Sequence, residues 1–207
     1  MESVLGQDVA SGQEYVDIGV ARRSLRPALI LSARSITEHT TFIRHLLVGL
    51  ADESIPAALV CPPGYNLESV TPTPAAVFTH PVVALPLMEH VGIERLAGQL
   101  EKFRPSILHC MCESRAGLTR RLARVLGLPY VLMVNSLSKR MRKLSISSHH
   151  CASIVVPSET ILASATSSLP HFADRITQIN IGAFVETDTI CFTDPSRLPS
   201  IVVTHPL

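Results

Sequence analysis

The chain has 207 residues, 46% of them hydrophobic and 17% charged, with a formal net charge of +1. That length suits one ordinary domain, or one domain plus a fragment, and the apolar share supports a sizeable core, which excludes disorder over most of the chain. The balanced charge gives no global acidic or basic bias, and five cysteines without a CxxC pair point to free thiols in a reducing compartment, not a disulfide framework.

Residues 1–25 carry Glu2, Asp8, Glu14 and Asp17 and no apolar stretch of the kind a secretory signal needs. They read as a tail or an appended short helix. Ala28-Leu29-Ile30-Leu31-Ser32 reads as the first buried strand and 33–39 as a polar loop. A helix is predicted over 40–51, with Phe42, Leu46, Leu47 and Leu50 facing inward. Ala57-Ala58-Leu59-Val60 is the second strand. Four prolines (Pro62, Pro63, Pro72, Pro74) make 62–74 a loop. One or two short strands fall in 75–87, interrupted at His80-Pro81. The longest apolar runs end at Pro81 and Pro86, far short of a bilayer span. Residues 89–103 are helical, with Ile93, Leu96, Leu100 and Phe103 at helical spacing.

The centre of the chain is one βαβ unit. Ser106-Ile107-Leu108-His109-Cys110 is a short apolar run behind Pro105. Residues 114–127 have helical periodicity, with Leu118, Leu122, Val125 and Leu126 on one face, and Gly127-Leu128-Pro129 ends the helix. Tyr130-Val131-Leu132-Met133-Val134 is continuously apolar, as in a parallel sheet covered on both faces. A basic helix over 138–149, a strand over 152–156, a helix from Ser158 or Glu159 to Ser168, and a strand over 175–181 follow. Strands and helices alternate throughout, which predicts an α/β fold: a Rossmann-like open parallel sheet with helices on both faces, over 26–186. The last apolar run, 201–204, reads either as the first strand of a second domain begun in 187–207 or as an edge strand of the same sheet.

Three blocks together resemble the N-terminal domain of retaining glycosyltransferases of group 1, which have two facing Rossmann-like domains (the GT-B fold). Arg104-Pro105-Ser106-Ile107-Leu108-His109 is similar to that family's strand ending in histidine. RVLGLPYVLMVN, from Arg124 to Asn135, is similar to its "LGIPVV-x-T-x-H" strand. CASIVVPSE, from Cys151, and RITQINIG, from Arg175, are similar to its strand, helix and linker strand. Order and spacing match over about 27–185. The resemblance implies an acceptor-side domain. The donor would be a nucleotide sugar bound by a second domain, as substrate and not as cofactor. The acceptor would be a sugar or a lipid-linked hydroxyl. Four features depart from the family: the first loop, Ser32-Ala33-Arg34-Ser35-Ile36-Thr37, has no glycine for close backbone approach to a phosphate; Asn135 replaces a histidine; Met111 replaces another; and Ile181-Gly182 stands where the linker usually has Asn-Gly.

In parallel sheets, ligands bind beyond the carboxyl ends of the strands. The candidates for lining an acceptor cleft are therefore Ser35, Thr37, Glu38, His39, His109, Glu113, Asn135, Ser136, Ser158 and Glu159. Each has a plainer reading. His109 is either an acceptor contact or a half-buried histidine bonded to backbone. Asn135 and Ser136 either bind a sugar hydroxyl or cap the predicted 138–149 helix. Thr37 or Thr40 caps the next helix, with Glu38 and His39 solvated, and Glu159 answers a helix dipole. No catalytic residue is assigned, since an asparagine cannot act as a base. No metal site is expected, because Cys110-x-Cys112 lacks zinc spacing and Cys110 reads as core.

Between 114 and 158 there is no acidic residue, while Arg115, Arg120, Arg121, Arg124, Lys139, Arg140, Arg142 and Lys143 fall there. This sector is either an ordinary solvated surface or a footprint for phosphates or anionic lipid, placing a cytoplasmic protein at the inner membrane face. With 4% aromatics and no Trp, nucleic acid is not expected as a partner. The alternative to a transferase domain is a non-catalytic Rossmann-like scaffold that uses the basic sector for an anionic partner.

Overall fold

In the computed structural model, the structure describes residues 25–65, 67, 75–80, 86–137 and 141–181. The predicted 1–24 tail, Lys139, Arg140, most of the 62–74 loop and everything predicted after residue 181 lie outside the described residues.

The sheet is built from β1 (Pro27–Ile30), β2 (Ala58–Cys61), β3 (Ala76–Thr79), β4 (Ile107–Cys110), β5 (Tyr130–Met133), β6 (Cys151–Val156) and β7 (Ile176–Gln178). Their spatial order is β3-β2-β1-β4-β5-β6-β7 and every pairing is parallel. The chain starts in the middle, works outward to β3, then returns across β1 to fill the other side. The change of direction falls between β1 and β4, where an open α/β sheet leaves a crevice at its carboxyl edge.

The helices are α1 (Ala33–Glu38), α2 (Thr40–Asp52), α3 (Pro86–Phe103), α4 (Ala116–Leu126) and α5 (Glu159–Ser168). Alternate residues of β1 belong to opposite cores. Ala28 and Ile30 pack with Leu96 and Leu100 of α3, Leu122 of α4 and Ala165 of α5. Leu29 and Leu31 pack with Ile36 of α1 and Ile43 and Leu47 of α2. This is why the strands read as continuous apolar runs: each face of the pleat is covered.

Some expectations change and others hold. Residues 33–38 are helix, not loop, because Ser32 and Ser35 cap each other: the Ser35 N–H donates to Ser32 Oγ at 3.0 Å and the Ser32 N–H to Ser35 Oγ at 2.7 Å. A single strand, β3, is described within 75–87, and Pro86 opens α3, where its missing N–H costs nothing. The inward face of α4 is Ala116, Thr119, Leu122 and Ala123, so Val125 is turned off it and is 46% exposed. Gly127 closes α4 in the left-handed conformation (φ 64°), as its sequence position implies.

The basic helix predicted over 138–149 does not form among the described residues. Met141–Lys143 makes one 3-10 turn. Met141, Leu144 and Ile146 enter the α3/α4/α5 core, a spacing no single helix face supplies. Ser145, Ser147, Ser148 and the β-branched Ile146 are weak helix formers. The Tyr130 hydroxyl, buried in that core, accepts the Ser147 N–H at 2.8 Å and so takes the place of a helical carbonyl.

Candidate functional site

The carboxyl ends of β1, β4 and β5 open into a cleft of about 190 Å³, lined by Ser32, Arg34, Ser35, Glu38, His39, Cys112, Glu113, Ser114, Asn135 and Ser136. Three adjacent strands deliver these residues. β1 leads into the Ser32 cap and α1. β4 leads through Met111 and Cys112 into a 3-10 turn, Glu113–Arg115. β5 leads through Val134 to Asn135 and Ser136.

Glu113 organises the cleft. Its Oε1 accepts the backbone N–H of Asn135 at 2.8 Å, the backbone N–H of Ser136 at 2.9 Å and the Ser136 hydroxyl at 3.1 Å. Asn135 turns its amide Nδ2 to the carbonyl of Met111 at 3.2 Å, while its Oδ1 is buried without a hydrogen bond. The ends of β4 and β5 are thus tied by one carboxylate and one amide. The 138–149 helix that Asn135 and Ser136 were expected to cap does not form among the described residues.

On the β1 side, Arg34 Nε reaches both oxygens of Glu38, at 2.8 and 2.7 Å. Glu38 holds the Arg34 guanidinium more firmly protonated, but the pair is solvated, with the arginine side chain 79% exposed. Cys112 Sγ lies 3.3 Å from Ser114 Oγ and 3.9 Å from Ser35 Oγ, which closes the floor of the cleft.

Of the residues expected at the cleft, Ser35, Glu38, His39, Glu113, Asn135 and Ser136 line it together. Thr37 turns its hydroxyl back onto the Arg34 carbonyl at 3.1 Å. Ser158 accepts the Ile161 N–H at 3.4 Å as the cap of α5, and Glu159 is exposed in that first turn; both stand one strand away, beyond β6. His109 is paired in register with Leu29 and Val131. Its Nε2 is buried and makes no hydrogen bond, and burial lowers its pKa to about 4, so the ring is neutral. It faces the sheet's α1/α2 side and does not line the cleft. Sequence reasoning missed Ser32, Arg34, Cys112 and Ser114. The Ser32-x-x-Ser35 spacing is the signal that would have found the first, since two small hydroxyl residues three apart are a capping pair.

Among the described residues no group of three or more His, Cys, Asp or Glu side chains is placed to hold a metal ion. Cys110 is fully buried, and burial pushes its thiol up to about 12, so it stays an inert core residue. In the basic sector, Arg115, Arg120 and Arg121 are half-buried, and Arg120 Nε is buried without a hydrogen bond, while Arg124, Arg142 and Lys143 are exposed. Among the described residues no helix is long and apolar enough to cross a membrane.

Comparison with solved structures shows the fold. A glycosyltransferase from Rickettsia africae superposes with a TM-score of 0.61 at 11% identity, over 76% of this chain and 43% of that one. HepE of Anabaena, solved in complex with UDP and glucose, gives a TM-score of 0.60 at 10% identity, over 76% and 45%. MurG of Acinetobacter baumannii gives 0.57 at 12% identity, over 79% and 47%. The chain therefore spans less than half the length of these enzymes. Among curated proteins none matches it by sequence. The family model for the glycosyl transferase 4-like domain matches residues 38–179, most of the chain and nearly all of the sheet from α2 to β7. With its seven-stranded Rossmann-like sheet and that match, the chain belongs to the glycosyl transferase 4-like domain family.

Proposed function

We propose that this chain is the acceptor-side half of a two-domain glycosyltransferase whose complete form moves a sugar, with retention, from a nucleotide diphosphate sugar to a hydroxyl of a sugar or lipid-linked acceptor. The observation that carries the reading is the polar cleft at the carboxyl ends of β1, β4 and β5, in a domain of this family. The cleft offers carboxylate, amide and hydroxyl groups suited to sugar hydroxyls. In this reading residues 26–186 are the acceptor-side domain, and 187–207 are a linker and the start of the donor-binding domain.

Stabilising the leaving diphosphate is the large electrostatic demand of such a reaction. Glu113 and Glu38 cannot meet it, and Arg34 is already engaged by Glu38. The 207-residue chain alone is therefore expected to transfer no sugar. Incubation with UDP-, GDP- and ADP-sugars and simple glycoside acceptors should release no nucleotide diphosphate above the blank. A clear rate from the purified chain would overturn the reading.

Exposed Arg124, Arg142 and Lys143, together with Lys139 and Arg140, support a peripheral position on the inner, anionic membrane face. Co-sedimentation with phosphatidylglycerol vesicles but not with phosphatidylcholine vesicles, lost in 0.5 M salt, where the Debye length is about 4 Å, is the expected result.

A further inference from the structure

Resting on the acceptor-side reading, we infer that the cleft seats a single neutral or amino-bearing sugar ring and rejects a ring that carries a negative charge. Size sets the first part. A cleft of about 190 Å³ is smaller than the roughly 300–1,000 Å³ of pockets that enclose a drug-sized ligand. It holds one ring, and the remainder of an acceptor lies outside.

Charge sets the second part. The lining carries one arginine and one histidine, Arg34 and His39, against two glutamates, Glu38 and Glu113. The arginine is paired through Nε with Glu38, lies within electrostatic reach of Glu113 and is largely solvated, so its charge is shared between the two carboxylates. At the head of the six-residue α1 the Ser35 N–H goes to Ser32 Oγ and the Ser32 N–H to Ser35 Oγ, which leaves fewer amides for an anion than an uncapped helix start offers. Glu113 remains. Its Oε1 already takes three donors, and among the described residues its second oxygen accepts no hydrogen bond.

That free carboxylate oxygen selects for donors. A ring hydroxyl gives it a charge-assisted hydrogen bond, and a ring ammonium gives it a bond and an ion pair. A carboxylate or phosphate on the ring would face the Glu113 charge in a lining whose arginine is already shared with two carboxylates, in a setting less screened than open water. The same argument keeps a donor's diphosphate out of this cleft.

The test is an NMR titration of the full, isotope-labelled chain with methyl glycosides of glucose, glucosamine and glucuronic acid, with the galacto series in parallel. The neutral and amino glycosides should shift the amide signals of Asn135 and Ser136, and the uronides should bind at least about tenfold more weakly. Glu113→Gln keeps the shape and removes the charge, so the gap should close. In the unaltered chain the gap should also narrow at high salt, a readout that does not depend on the variant folding. Uronides binding as well as the neutral rings, or a gap that neither salt nor Glu113→Gln alters, overturns the charge rule and leaves the acceptor reading standing. If no glycoside of either series moves those signals, the acceptor reading falls and the rule falls with it.

Discussion

Glu113 and Asn135 are 22 positions apart in sequence, yet the carboxylate of one accepts the backbone N–H of the other at 2.8 Å. The contact exists because β4 and β5 are parallel neighbours that end at the same level, so the residues following them meet at the sheet edge. One oxygen accepts two backbone donors and a hydroxyl, which fixes the wall of the cleft on that side.

Glu113→Ala should therefore loosen the cleft more than it loosens the fold. Hydrogen bonds to a charged group contribute about 1.5–3 kcal/mol, and partial solvent exposure discounts this, so a loss of about 1–2 kcal/mol in urea unfolding is expected. Amide hydrogen exchange at Asn135 and Ser136 should accelerate well beyond that of β5 itself. Equal acceleration along the whole of β5 would show a general loss of stability and no local tie.

Tyr130 and Ser147 form a second tie of this kind, on the opposite face. The ring is fully buried and its hydroxyl accepts the Ser147 N–H at 2.8 Å. Tyr130→Phe leaves the ring in place and strips that amide of its partner, at a cost of about 1–2 kcal/mol. The segment around Met141–Lys143 should exchange faster, while the helices α3 and α4 should be unaffected. The check is residue-resolved exchange alongside equilibrium unfolding.

His109 predicts a pH dependence. Burial lowers its folded-state pKa to about 4, below the value of 6.5 for the free side chain. Between those values the unfolded chain takes up a proton that the folded chain does not, so acid favours unfolding. Stability from this residue is whole above about pH 6.5 and is lost as pH falls toward 4, amounting to about 2–3 kcal/mol by pH 4. His109→Leu should flatten that limb of the stability–pH curve. An unchanged acid limb in the variant would assign the loss to other groups.

The sheet was legible because its strands are short, continuous and apolar, and because turn-forming glycine and proline separate them. Ile93, Leu96 and Leu100 announced α3 for the same reason: burial on one helix face writes its period into the sequence. What could not be read is whatever depends on a partner far along the chain. Lys139, Arg140, Arg142 and Lys143 make 138–149 look like a solvated helix, but Met141, Leu144 and Ile146 answer to the packing of α3, α4 and α5. His109 sits near the end of a strand in sequence, yet its side-chain parity turns it to the sheet face beside Leu29 and Val131, under α1 and α2, and it is not among the residues that line the cleft. Glu113, Asn135 and Ser136 were identifiable as strand-end residues. That one carboxylate ties the other two together follows only from the strand order.

Arg26 offers a test of how the start of β1 is anchored against the central unit. Its Nε and Nη2 both donate to the Phe103 carbonyl, at 3.0 and 2.7 Å, and its guanidinium lies 4.6 Å from the centre of the Phe103 ring. Its own N–H donates to Ser106 Oγ at 2.9 Å. One residue thus satisfies a carbonyl in the last turn of α3, covers the ring beside it and joins β1 to the entry of β4. Lysine supplies one point donor where arginine supplies two on a plane, and it stacks poorly on an aromatic face. Arg26→Lys should cost about 1 kcal/mol and Arg26→Ala about 2 kcal/mol, because alanine also uncovers the ring. The two variants keep the Arg26 N–H, so the Ser106 bond survives in both. A chemical-denaturation series in which Lys and Ala behave alike would show that the fork and the stack contribute nothing beyond a single donor.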